Sequence, residues 1–102
     1  MQISHRIHEK NATIILSGKF VFTAHREFRD QYQVILDMPE IQSLDIDLWD
    51  VDYIDSSALG TLLMVKELAE IHNVKLSLAR CRGMVLEVLK TVNFGQIFTI
   101  TT

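Results

Sequence analysis

The sequence predicts an α/β domain: a mixed β-sheet of four to five strands covered by amphipathic helices, filling residues 1–102 as one unit. Three observations lead there. Segments that alternate apolar and polar residues take turns along the chain with segments of helical period. The middle segments repeat as strand–helix–strand, the arrangement that joins parallel neighbours. Finally, 102 residues, 48% hydrophobic and 23% charged, supply one core and leave no room for a second.

Taken in order, residues 3–8 alternate loosely and pair as a hairpin with residues 12–17, Ala-Thr-Ile-Ile-Leu-Ser, across Glu9-Lys10-Asn11. Gly18 closes that second strand. From Thr23 the period becomes helical: Ala24, Phe28, Tyr32, Ile35 and Leu36 share a face, Thr23 is the N-cap candidate, and Pro39 ends the helix. Residues 44–48, Leu-Asp-Ile-Asp-Leu, alternate as a strand. A helix is expected from Ser57 to Ile71, with Asn73 as its stop. Residues 74–79 alternate again. Val85, Val88, Leu89 and Val92, after Gly83, mark a third amphipathic helix, and Phe94, Ile97 and Phe98 close the chain as a short strand or a core plug.

Composition excludes several classes. A formal net charge of -3 argues against nucleic acid, which needs a basic surface. The lone Cys81 permits no intrachain disulfide, and its neighbours Arg80 and Arg82 would lower its thiol pKa only if they closed around it. The opening Met-Gln-Ile-Ser-His-Arg-Ile-His is too polar for a signal peptide, and no apolar run approaches the ~20 residues of a membrane span. The expectation is a cytoplasmic protein without direct membrane insertion.

Chemistry-bearing clusters are sparse. Asp45, Asp47, Asp50, Asp52 and Asp55 are rich in oxygen ligands, but the first two share a strand face and the rest are expected in a turn, so no convergent Mg²⁺ site is assigned. His5, His8, His25 and His72 lack zinc spacing and read as scattered surface residues. Gly18-Lys19 lacks the upstream glycine of a phosphate-binding loop. No nucleophile–base pair is evident, so neither an enzyme nor a cofactor is expected.

One segment stands out: Asp55-Ser56-Ser57-Ala58-Leu59-Gly60, where a strand gives way to a helix. Asp or Ser there caps the free N–H groups of the first turn, and those groups with the helix dipole favour an anion. A serine at this place can carry a phosphate without unfolding the domain. Ala58, Leu62, Val65 and Ala69 form a stripe suited to packing on a sheet, with Lys66, Glu67 and Glu70 opposite. Ser57, Thr61, Met64 and Leu68 run beside that stripe, as extra core or as flexible apolar contacts next to the serine. Trp49 is expected in a loop nearby, as a partner hot spot or a lid on the core.

Asp47-Leu48 followed by Val51, then Tyr53-Ile54-Asp55-Ser56-Ser57-Ala58-Leu59-Gly60, resembles the signature of STAS domains of the bacterial anti-anti-sigma factor type, the anti-sigma factor antagonists. Leu16-Ser17-Gly18-Lys19-Phe20 resembles that family's strand and turn before the first helix, and the spacing to the later strand and helix fits. The resemblance implies a STAS fold over the whole chain and Ser57 as phosphoacceptor. It implies an anti-sigma factor that is also a serine kinase as partner, and a PP2C-type phosphatase to reverse the modification. The unmodified form would bind the anti-sigma factor and release a sigma factor. Asp55 would hold and cap the loop and Ser56 would be structural or a minor acceptor. Ala58, Gly60, Thr61, Met64 and Trp49 complete the expected partner surface. Three positions depart from the pattern: Ala58 stands where the family usually has Gly, Val21 where many relatives carry Asp, and Trp49 where the usual residue is small. Some single STAS domains instead serve ABC-type lipid transport complexes as constitutive subunits, which is the alternative reading. A ligand binder or enzyme using the acidic loop is the third.

Overall fold

The computed structural model describes residues 1–102. Strand β1 (Gln2–His8) turns back into β2 (Asn11–Phe20), with His8 opposite Asn11 and Gln2 opposite Ser17. Only Glu9 and Lys10 lie between them, and Glu9 takes a left-handed conformation (φ 57°) that reverses the chain in so short a space. Gly18 does not end β2 as its residue type predicts. It sits inside the strand at φ 96°, where the register with the next strand slips, and an L-residue there would be strained.

Helix α1 (His25–Leu36) follows a 3-10 turn at Phe22–Ala24. Thr23 therefore does not cap the helix. It lies within the 3-10 turn, whose hydrogen bond from Ala24 N to Val21 O (2.9 Å) closes this entry, and no side chain caps it. Phe28, Tyr32, Ile35 and Leu36 are buried as the period predicts. Phe28 packs edge-on to both Phe20 (centroids 5.3 Å apart) and Tyr32 (5.1 Å), fixing α1 over the end of β2.

Strand β3 (Ser43–Ile54) is more than twice as long as its alternating core, residues 44–48. Its pairing to β2 continues through two register shifts to Phe20 opposite Ile54, so Trp49, Asp50 and Asp52 are strand residues and not loop residues. Bulges break the two-residue period, which is why alternation alone stops at Leu48. Helix α2 (Ser56–Ile71) ends at the left-handed Asn73 (φ 58°), and β4 (Lys75–Ala79), α3 (Gly83–Thr91) and β5 (Thr99–Ile100) complete the chain. Gly83 opens α3 instead of preceding it. Phe94 and Phe98 are buried ahead of β5, so the terminal segment is both plug and short strand.

The sheet order is β1-β2-β3-β4-β5, parallel from β2 onward with β1 antiparallel at the edge. Each parallel strand is added on the same side of its predecessor. Right-handed crossovers then put α1, α2 and α3 on one face of the sheet. Burial follows: Ala12, Ile14, Leu16, Leu44, Ile46, Leu48 and Leu78 are buried toward the helices, while Thr13, Ile15, Ser17, Asp45 and Ser77 on the other face are half-buried. The expected helical cover is thus one-sided, and polar residues occupy the face that no helix covers.

Candidate functional site

The carboxyl ends of β2 and β3 meet where Asp55 N donates to Phe20 O (3.3 Å), which delivers the Asp55-Ser56-Ser57 segment to the rim of the sheet. Asp55 is the N-cap of α2. Its Oδ1 accepts from Ala58 N at 2.9 Å and from the Ser57 hydroxyl at 2.6 Å, and its Oδ2 accepts from Phe22 N at 3.3 Å. Donation by the Ser57 hydroxyl, then by Ala58 N, holds the carboxyl below its ordinary pKa. One side chain therefore caps the helix, orients Ser57 Oγ and ties the strand–helix junction to the 3-10 turn.

The sequence-predicted residues divide into two groups. Ser57 is half-buried and Ser56 and Gly60 are exposed, all in the first turns of α2. A Cβ added at Gly60 would meet nothing within 4 Å, so the surface there is open. Ala58 is buried in the core, and its methyl group is accommodated. Thr61 is buried as well; its hydroxyl donates to Ser57 O (3.1 Å) and contacts His25 Nδ1 at 2.7 Å. Met64 is 50% exposed and belongs to the surface. Ser57, Gly60, Thr61 and Met64 line a shallow cleft of about 220 Å³ with Phe22 and His25.

Trp49 forms the second group. It is 40% exposed, with the Arg82 guanidinium 4.1 Å from its ring centroid and that of Arg80 5.2 Å away. Arg82 Nε donates to Trp49 O (2.7 Å), and Arg80 Nε spans both oxygens of Asp47 at 3.1 and 3.2 Å. None of the hydrogen bonds around Ser57 reaches Trp49. The acids are likewise separated: Asp45 accepts from Ser77, Asp47 from Arg80 and Trp49 N, and Asp55 from Ser57. Cys81 is buried despite its flanking arginines, and burial, with the Asp47 charge second, pushes its thiol up to about 11.

Sequence reasoning missed two residues here. Phe22, 73% exposed, places an aromatic ring at the edge of the cleft. His25 is not a stray surface histidine, since it bonds to Thr61 across 36 positions of chain. Neither carries a local signal, because only tertiary contacts bring them to Ser57: the bond from Phe22 N to Asp55 and the packing of α1 on α2.

A mixed sheet covered by helices on one side, with an Asp-capped serine at the start of its second helix, is the arrangement of a STAS domain. Residues 3–101 match the family model described as "Mlab, STAS domain". The chain is 40% identical over 89 residues to a STAS-domain containing protein of Pseudomonas aeruginosa (strain UCBPP-PA14), covering 87% of this chain and 86% of that one. It belongs to the STAS domain family. Its fold is that of the anti-sigma factor antagonist from Mycobacterium paratuberculosis (TM-score 0.84, 16% identity, 98% of this chain and 84% of that one). It is also that of the Bacillus cell fate determinant SpoIIAA in its phosphorylated form (0.73, 16%, 99% and 90%). The STAS domain of a SulP transporter from Vibrio cholerae shares it too (0.74, 18%, 95% and 77%).

Proposed function

We propose that this chain is an anti-sigma factor antagonist that acts by partner switching, with Ser57 as the phosphorylated residue. The observation that carries the reading is the Ser57 hydroxyl, fixed by Asp55 in the first turn of α2 beside the exposed Phe22 and Met64. In this reading the chain is not an enzyme. It works in the cytoplasm as substrate and partner of an anti-sigma factor with serine kinase activity, and a PP2C-type phosphatase restores it. No helix is long and apolar enough to cross a membrane.

The switch is electrostatic. Phosphorylation adds about -1.5 to -2 charges at pH 7. That charge joins Asp55 and the exposed Asp50 and Asp52 near the rim. A partner docked over Phe22, Gly60 and Met64 then meets like charge and a desolvation cost, while the helix terminus tolerates the anion and the fold stays. The unmodified surface is apolar and open enough to be covered.

An affinity pull-down with wild type, Ser57→Ala and Ser57→Asp tests this, read with intact mass after co-expression with the captured kinase. Wild type should gain one phosphate and Ser57→Ala none, while Ser57→Asp should lose at least about tenfold in affinity, or ~1.4 kcal/mol. Unchanged modification of Ser57→Ala removes the site assignment. A second reading, a constitutive subunit of an ABC-type lipid transport complex, draws on the occurrence of this fold as the STAS domain of a transporter. Capture of membrane transport subunits equally by all three forms would select it.

A further inference from the structure

The hydrogen bonds around Thr61 hold His25 against the first turns of α2. The Thr61 hydroxyl oxygen lies 3.1 Å from Ser57 O, to which it donates, and 2.7 Å from His25 Nδ1, in a bond whose direction follows the imidazole tautomer. His25 is the one imidazole among the side chains lining the cleft with Ser57. Other charged groups around this corner are Asp55 at the junction of β3 and α2, Arg29 one turn further along α1, and Glu67 of α2, which lines the next groove with Arg29. The 3-10 turn Phe22–Ala24 contributes none.

We propose that His25 is the positioning residue that reads the charge on Ser57. With the serine unmodified, the imidazole is tethered to Thr61 and braces the first turns of α2 against α1. With a phosphoryl group on Ser57 Oγ, the ring binds a proton from water and the imidazolium pairs with the phosphate in the shared cleft. The proposal rests on Ser57 as the modified residue. It adds a pH dependence to the switch. The phosphate dianion favours the imidazolium, so the pairing is lost as pH rises through the His25 midpoint of the modified form, and it weakens again at low pH where the phosphate takes its second proton, at about pH 6. One positive charge then offsets part of the phosphate, and exclusion of the partner by the modified form weakens as pH falls.

The test encodes phosphoserine at position 57 during translation, so that no kinase is needed. His25 ring signals and the phosphate ³¹P signal are followed by NMR through the imidazole range. The His25 midpoint should lie about one unit higher in the phosphoserine form, a tenfold gain in proton affinity. The ³¹P midpoint should be higher in His25→Gln, which keeps a donor for Thr61, than in the wild-type background. Equal His25 midpoints with and without phosphate overturn the proposal, as does a ³¹P midpoint that His25→Gln leaves unmoved. The His25 comparison needs no histidine variant, so it stands if His25→Gln misfolds. A shifted His25 in a chain that no cellular kinase modifies supports the coupling while removing the phosphoregulation reading.

Discussion

At the scale of single residues, Asp55 does the most. It caps α2, orients Ser57 Oγ and holds Phe22 N, three tasks that rest on one ionised carboxylate. Asp55→Ala should lower the urea midpoint, as the loss of an N-cap does. It should also slow phosphorylation of Ser57 more than that loss of stability explains, because the hydroxyl loses its orienting acceptor. The pH dependence has a definite sign. A carboxyl whose folded pKa is depressed contributes stability above its unfolded pKa and loses it as pH falls through the folded value. The protection of the Ala58 amide, its exchange rate relative to an unstructured amide at the same pH, should therefore hold at neutral pH and be lost below the ordinary Asp range, near pH 4. Protection unchanged through that range would show that the cap does not depend on charge.

At the scale of elements, α2 divides its sides between core and surface. Ala58, Leu62, Val65 and Ala69 are buried as their spacing predicts, whereas Met64 and Gly60 face outward. Gly60→Ala should stabilise the chain by about 0.5–1 kcal/mol, since the helix gains propensity and the methyl group meets nothing. If a partner covers this turn closely, the same variant should bind it less well, a combination that calorimetry and thermal melts would separate. Cys81, two residues beyond the end of β4, is buried. With its thiol raised to about 11, it should resist alkylation at pH 8 in the folded chain and react within minutes in denaturant. Stability should also decline as pH rises between the ordinary thiol value of 9.0 and about 11, where only the unfolded thiol ionises.

At the scale of the whole molecule, the one-sided sheet makes the helical face the sole apolar core, a cluster of 25 buried residues. A truncation such as Ile46→Ala, in the central strand, should cost about 2–5 kcal/mol and be read as a lower urea midpoint. The polar face tolerates water because Asp45, Asp47 and Arg80 satisfy one another's or neighbouring groups there.

Much of this architecture was legible in local pattern. The helical period of residues 24–36, the alternation of 44–48 and the left-handed stop at Asn73 depend on neighbours a few positions apart, and they determine elements and their order. Asp55-Ser56-Ser57 was legible for the same reason, since an N-cap is a local device. What the tertiary structure alone decided is pairing over distance. Bulges carried β3 past Leu48 to Ile54, which turned Trp49 from a loop residue into a strand residue held by Arg80 and Arg82. Crossover handedness left one sheet face open. The packing of α1 on α2 brought His25 to Thr61, and so to Ser57, across 36 residues that share no periodicity. Periodicity reports which face of an element is apolar. Which particular residues of two elements meet depends on strand register and helix packing, and those are settled only when the core closes.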